Sequence, residues 1–299
     1  MKVFLTGAAG YIGGSVAEKL VAAGHEVLGL AKSPDQVAPL KARGIEPVVG
    51  LLDDAAVLTA AARAADAVIN AANVDHAASV VTLVTALERS GKLFIQTTGS
   101  SIVCDHADGA FAAEIPLDED AWFDPVPFRR ARVDMNRYAR EAAIGKGVRS
   151  IVVCPTMVYG AGRGLQPYSD QIPKLMALAR QLGAGVYCGE GLNRYSNVHI
   201  DDLADLFLLA MERAPGGSFF FAENGANSFR EIASMISDAI GLGGKTLSLS
   251  LEDVMRQFGE TGRLGVASNS YVSAANARRL GWAPKGPSLA EYFSSLAKT

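Results

Sequence analysis

Cysteine, tryptophan and histidine are scarce in this chain, and neither sign of charge dominates it. Cys104, Cys154 and Cys188 are its only thiols, odd in number and far apart. That pattern excludes a disulfide framework and shows no metal-ligand spacing, so no metal site is expected. Lysine and arginine total 28 against 31 aspartates and glutamates, a net charge of −3 that argues against nucleic acid as the main partner. The local exception, Arg129-Arg130-Ala131-Arg132, reads either as an anion site or as a solvated helix face. Long apolar runs are missing too. The first is interrupted by glycines and soon carries Glu18 and Lys19, which fits neither a signal peptide nor a membrane span. Reduced thiols and the lack of a membrane segment lead us to expect a cytoplasmic protein. With 49% hydrophobic and 20% charged residues over 299 positions, the composition is that of a globular protein with room for a large domain and a smaller one.

What the chain does have is glycine at chosen places. Residues 1–6 form an apolar strand that runs into Gly7-Ala8-Ala9-Gly10-Tyr11-Ile12-Gly13. Glycines at 7, 10 and 13 permit a tight turn, close approach of backbone to a pyrophosphate, and close packing of the next helix. That helix carries Val16, Ala17, Leu20 and Val21 on one face and offers its free N–H groups to an anion. Strands near 26–30, 46–50, 66–70, 93–97 and 150–154 then alternate with helices near 36–43, 54–65, 77–90 and 129–145. This alternation predicts an α/β fold, a Rossmann-type doubly wound parallel sheet covered on both faces.

Between 99 and 127 the period is lost at the carboxyl end of a strand, where open sheets bind ligands. Beyond residue 160 the texture changes. Proline and glycine breaks, a short buried strand at 219–221, and helices near 201–213, 228–240, 251–258 and 288–297 read as a smaller, mainly helical substrate-binding cap. The expected division is a dinucleotide-binding domain over 1–160, to which part of 196–225 returns, and a cap over 161–299.

Three separated motifs resemble those of the extended short-chain dehydrogenases/reductases, the family of nucleotide-sugar epimerases and dehydratases. They are Thr6-Gly7-Ala8-Ala9-Gly10-Tyr11-Ile12-Gly13, Pro155-Thr156-Met157-Val158-Tyr159-Gly160 and Asn197-Val198-His199-Ile200-Asp201-Asp202-Leu203-Ala204. The resemblance spans nearly the whole chain and specifies no substrate. It implies a nicotinamide dinucleotide held by Gly7, Ala9, Gly10, Tyr11, Ile12 and Gly13 at the turn. Leu51 and Leu52 after the third strand, Ala71, Ala72 and Asn73 after the fourth, and Thr97 at the end of the fifth would add to the site. Pro155, Met157 and Val158 would lie beside the nicotinamide. NAD-preferring members carry an acid at the end of the second strand. Here Ala31, Lys32 and Ser33 follow instead, and a cation with a hydroxyl suits a 2′-phosphate, so NADP is expected ahead of NAD.

The family's Tyr-x-x-x-Lys pair is absent, and the matching positions hold Phe128 and Arg132. Phenylalanine has no proton to give. Arg132 could bond the ribose, but with a pKa above about 12 it is a poor acid or base. The hydroxyl residue that polarises a substrate carbonyl is replaced by Gly99, with Thr98, Ser100 and Ser101 alongside as substitutes or as capping hydroxyls. Tyr159, Tyr168, Tyr195, His76 and Cys104 are further proton-donor candidates, and Tyr168 and Tyr195 belong to cap segments that should face the cleft. The expected catalytic set is Thr98, Ser100, Arg132 and Tyr168. Together these residues suggest an NADP-dependent oxidoreductase that moves hydride to or from a small carbonyl, imine or activated alkene. A nucleotide-sugar epimerase or dehydratase and a non-catalytic NADP(H) sensor are the alternatives. Because family members often pair through a four-helix interface, helices 77–90 and 129–145 point to a homodimer.

Overall fold

The computed structural model describes residues 1–297. Its first six strands are β1 (Lys2–Thr6), β2 (Glu26–Ala31), β3 (Ile45–Val49), β4 (Ala67–Asn70), β5 (Leu93–Thr97) and β6 (Arg149–Pro155). Three short strands follow, β7 (Met157–Tyr159), β8 (Gly185–Cys188) and β9 (Arg194–His199), before β10 (Phe219–Ala222), β11 (Ala226–Ser228) and β12 (Thr246–Leu249). The main sheet runs β10-β6-β5-β4-β1-β2-β3 and is parallel throughout. Its inner strands are apolar on both sides, as a sheet covered on two faces requires; Val3, Phe4, Leu5, Val68 and Ile95 are all buried. β1 pairs with β2 on one side and β4 on the other. The chain departs in opposite directions around that pair, and the crevice at its carboxyl end is where such folds bind ligands.

Helices α1 (Tyr11–Ala22), α2 (Val37–Lys41), α3 (Ala55–Ala64), α4 (Ala77–Ala86) and α5 (Arg130–Gly145) make the crossovers. Asp54 starts α3 by accepting from the backbone N–H of Val57 at 3.2 Å. The helix expected over 77–90 stops at Ala86. Arg89 there takes a positive φ of 59°, and its N–H turns to the carbonyl of Lys146 at 2.8 Å. After β6 come α6 (Gln171–Leu182), α7 (Ile200–Arg213), α8 (Phe229–Ala239), α9 (Leu251–Gly262), α10 (Ala275–Leu280) and α11 (Leu289–Leu296). α7 packs on α1, and α10 on β10. α6, α8, α9 and α11 enclose a second hydrophobic cluster around Leu175, Phe229, Ile232, Val254 and Phe293. Reciprocal capping boxes, Ser228 with Glu231 and Ser288 with Glu291, begin two of these helices. Two small sheets, β11-β9-β7 and β12-β8, brace the cluster.

The irregular stretch from 99 to 127 is ordered by the residues facing it. The carboxylate of Asp105 accepts from the backbone and side chain of Asn269, each at 2.9 Å. Asp108 takes a two-pronged bond from Arg263 at 2.9 and 2.8 Å. Beneath it, a buried polar chain crosses the sheet. Thr6 donates to Asn70, and Asn70 donates to Gln96 at 2.9 Å, which joins the ends of β1, β4 and β5 with their polar groups satisfied.

The turn after β1 meets the loop after β4 without side chains between them. Gly7 has φ +76°, and a Cβ on it would lie 2.5 Å from the carbonyl oxygen of Ala71. Gly24 has a similar φ of +82° but faces open space. Gly7→Ala is therefore expected to cost about 1–3 kcal/mol in chemical denaturation, and more than Gly24→Ala. Equal losses for the two variants would assign the cost to the dihedral alone.

Candidate active site

A groove of about 550 Å³ lies at the carboxyl ends of β1, β2 and β4. Gly7, Ala9, Gly10, Lys32, Leu52, Ala72 and Asn73, all expected in a dinucleotide site, line it. A Cβ on Gly13 would stand 2.3 Å from the carbonyl oxygen of Gly7, so α1 begins directly on the turn with its N–H groups uncovered. A cradle stripped of side chains at a helix start fits a pyrophosphate, and the residues present fit a nicotinamide dinucleotide. Leu30, Gln36, Gly50 and Gln166 complete the lining. Gln36 accepts from the backbone N–H of Lys32 at 3.0 Å and shapes the end of β2; the Ser33-Pro34 break was its only signal in the sequence.

The remaining expected cofactor residues take other places. Ser33 precedes the short turn at 34–36, Leu51 is exposed, and Ile12 packs against the sheet. Ala71 is the floor opposite Gly7. Thr97, Pro155, Met157 and Val158 are buried in β5, β6 and β7. Tyr11 donates its hydroxyl to the carbonyl of Gly160 at 2.9 Å, and burial keeps that phenol neutral. This bond begins a strap, residues 160–168, that crosses the start of α1. Gly14 and Gly164 meet there backbone to backbone, a Cβ on Gly164 falling 2.6 Å from the Cα of Gly14. The N–H of Arg163 donates to the Ser15 hydroxyl at 3.0 Å.

A second cleft, of about 300 Å³, opens between the turn at 100–103, the start of α5, and helices α6 and α9. Ser101, Arg129, Lys174, Leu175, Tyr195 and Phe258 are among its walls. Arg132 lines neither cavity and is only 8% exposed, but it ties a wall residue of the cleft to the loop that enters the groove. It donates to Asp75 through Nε at 2.7 Å and through Nη2, and to Ser101 through Nη1 at 3.1 Å. Asp75 lies in the loop after β4, two residues from Asn73, whose side chain accepts its backbone N–H at 3.0 Å. The hydrogen bond from Arg132 holds the Asp75 carboxyl below the usual aspartate range, with burial opposing. A Cβ on Gly99 would already touch Arg132, 3.6 Å from Nη1. The two departures, Gly99 and Arg132, are thus neighbours in space, and a side chain at 99 would pack directly against the guanidinium.

Of the other expected catalytic residues, Ser100 turns away from the cleft. Residues 100–103 form a 3₁₀ turn, in which successive side chains diverge by about 120°. Ser100 is buried and accepts from the Ser270 hydroxyl at 2.7 Å, whereas Ser101 faces the cleft. Thr98 is buried, its hydroxyl without a partner among the described residues. Tyr168 is 65% exposed on the strap, electrostatically near Tyr292, and lines neither cavity. Phe128 is exposed, its ring against Arg129. Tyr195 borders the cleft, edge-on to Phe229 at 5.8 Å, and burial pushes its phenol well up. Tyr159 donates to the carbonyl of Pro287 at 2.7 Å, Cys104 to that of Leu264 at 3.1 Å. His76 caps α4 and His199 caps α7. Asp75 had no signal in the sequence, because its role depends on a partner 57 positions away. Among the described residues there is no metal-ligating group, and no helix is long and apolar enough to cross a membrane.

A side-chain-free cradle at the switch of a seven-stranded parallel sheet is the arrangement of an extended short-chain dehydrogenase/reductase. Residues 3–220 match the model of the NAD dependent epimerase/dehydratase family, and the chain belongs to that family. It is 31% identical to an uncharacterized protein of Schizosaccharomyces pombe over 99% of both chains. It is 30% identical to an oxidase of an Acremonium species, over 99% of this chain and 97% of the relative. Among solved structures it is similar to a dTDP-glucose 4,6-dehydratase from Streptomyces venezuelae with NAD and TYD bound, at a TM-score of 0.78 and 19% identity, covering 100% of this chain and 96% of the other. The protein is accordingly an NAD(P)-dependent oxidoreductase of the extended short-chain type.

The ion pair between Asp75 and Arg132 makes stability depend on pH. Because the folded Asp75 carboxyl is lowered, its contribution is complete above the unfolded value and is lost as pH falls toward the folded one. Asp75→Asn is expected to lower stability near neutrality by about 1 kcal/mol, a figure discounted for a carboxylate that is half exposed. In urea unfolding, that difference should shrink as pH drops through the acid range; a constant difference would assign the loss to something other than charge.

Proposed function

We propose that the protein is an NADP-dependent oxidoreductase that transfers hydride between the nicotinamide and a small carbonyl, imine or activated alkene. The observation that carries this reading is the groove lined by Lys32 and the glycine turn, with Arg132 bonding the loop after β4 on one side and Ser101 in the wall of a small cleft on the other. When bound, the nicotinamide supplies or accepts the hydride. Gly7 to Gly13 hold the pyrophosphate, and Lys32, with Ser33 beside it, receives a 2′-phosphate at the end of β2. Arg132, held and oriented by Asp75, bonds the ribose. Ser101, on the wall of the cleft, takes the role expected of Ser100 and orients the substrate; Thr98 is buried. Because Tyr168 stands outside both cavities, water exchanges the proton.

Hydride transfer is reversible, so this arrangement serves oxidation as well as reduction, in keeping with the oxidase among the relatives. A sugar epimerase or dehydratase needs a base beside the nicotinamide, and Phe128 and Arg132 offer none. The exposed side chains of Val81 on α4 and Ile144 on α5 fit pairing of two copies through these helices, and light scattering is expected to report a dimer.

The decisive measurement is cofactor binding followed by turnover on a panel of small carbonyls, imines and enones. Lys32→Ala is expected to weaken NADPH binding by about tenfold, the worth of one charge-assisted contact, and to leave NADH unchanged. Unchanged NADPH affinity would remove the NADP assignment, and a panel inert with both cofactors would remove the oxidoreductase reading.

A further inference from the structure

The cationic side chains around the cleft do not share the same company. Arg132 is engaged by Asp75 and Ser101, and Lys174 by Asp170 at 2.8 Å. Arg130, further out, stands 3.7 Å from Asp124. Arg129 has no such partner. Only 6% of it is exposed, its Nε is buried with no hydrogen-bond partner, and no carboxylate among the described residues pairs with it. Its guanidinium carbon lies 4.8 Å from the centre of the Phe128 ring, and Asp75, the carboxylate that acts on it through space, is already bonded by Arg132.

An arginine does not escape burial by giving up its proton, and an unpaired buried charge is costly. Burial first, and Arg132 second, pull its pKa down from the ordinary arginine value, against a weaker opposing pull from Asp75, which bonds Arg132 instead. Such a group stands in the wall of the cleft, so the missing counter-charge belongs to what the cleft receives.

We propose that Arg129 binds a carboxylate on the substrate. One uncompensated positive charge calls for one negative charge, since Lys174 and Arg132 already have theirs; a dianionic phosphate would leave the cleft net negative. The planar fork of a guanidinium matches a carboxylate edge. Leu175, Phe258 and Val266 give the cleft an apolar side, set among Gln171, Thr261 and Tyr195, and that side suits a short hydrocarbon body. At about 300 Å³ the cleft is at the lower end for ligand cavities. The substrate class is then a small carboxylic acid carrying the carbonyl, imine or alkene. The reducible group rests on the oxidoreductase reading; the carboxylate site does not.

Calorimetric titration of the full chain with pentanoate, its neutral isostere pentanamide, and inorganic phosphate tests this, with NADPH titrated separately. Wild type is expected to bind pentanoate at least tenfold more tightly than pentanamide, and more tightly than phosphate. Arg129→Gln should lose at least tenfold in pentanoate affinity while binding NADPH as before. It should also melt no lower than wild type, because it removes an unpaired buried charge, whereas a merely structural arginine would leave a less stable variant. Arg129→Lys keeps the charge and loses the fork; it should weaken pentanoate several-fold and serves if the glutamine variant does not fold. Equal pentanoate affinity in wild type and variants, or tighter binding of phosphate than of pentanoate, would overturn the proposal. Arg129-dependent pentanoate binding without NADPH binding would uphold the carboxylate site and sink the oxidoreductase reading.

Discussion

The approach of two backbones at Gly7 and Ala71 is the constraint on which the rest of the site depends. It is made where β1 and β4 diverge, and only a residue without a Cβ and free to take a positive φ can make it. The polar chain from Thr6 through Asn70 to Gln96 fixes the ends of the three strands below, so the loops above them start from set positions. From that floor the loop after β4 carries Asn73 into the groove and Asp75 to Arg132. The placing of this ion pair therefore follows from a packing requirement several residues away.

Arg132 illustrates how a departure from a family pattern is accommodated. A guanidinium needs more room and more acceptors than the ammonium it replaces. Gly99 sets no side chain against it, while Asp75 and Ser101 supply the acceptors. The result is a site in which charge is held rather than exchanged, suited to orientation more than to proton transfer. Arg129, three positions earlier, is buried without such compensation, and this contrast between neighbouring arginines is the sharpest chemical feature of the cleft.

Much of the fold was legible because it is written locally. Glycine spacing at 7, 10 and 13, apolar runs in β1, β4 and β5, and Asp54 ahead of α3 each act within one turn or one strand. The small sheets were not legible. β12 pairs with β8 across about sixty residues; Thr246-Leu247-Ser248-Leu249 alternates, but over only four residues, and with Leu247 exposed the pattern marks no buried face. In the site, matching positions located Arg132 and Gly99, but the choice between Ser100 and Ser101 depended on a 3₁₀ turn. Asp75 and Gln166 take their places only through tertiary contacts, and a single sequence shows no trace of such pairings. The cluster at 129–132 carried both readings, an anion site and a solvated face, and burial separates them: Arg129 and Arg132 are inside, Arg130 is out.

The contact between Gly14 and Gly164 bears on how the two halves of the molecule work together. Side chains absorb displacement by rotating, and packed backbones have no such freedom. Where the strap crosses α1, the first turn of the cofactor helix and the segment carrying Gln166 and Tyr168 touch with nothing compliant between them. A shift of a few tenths of an ångström at one is passed to the other as a push. The strap that brings Gln166 to the groove is thereby seated on α1 by backbone alone, so the glycine turn and the outer wall of the groove keep a fixed spacing.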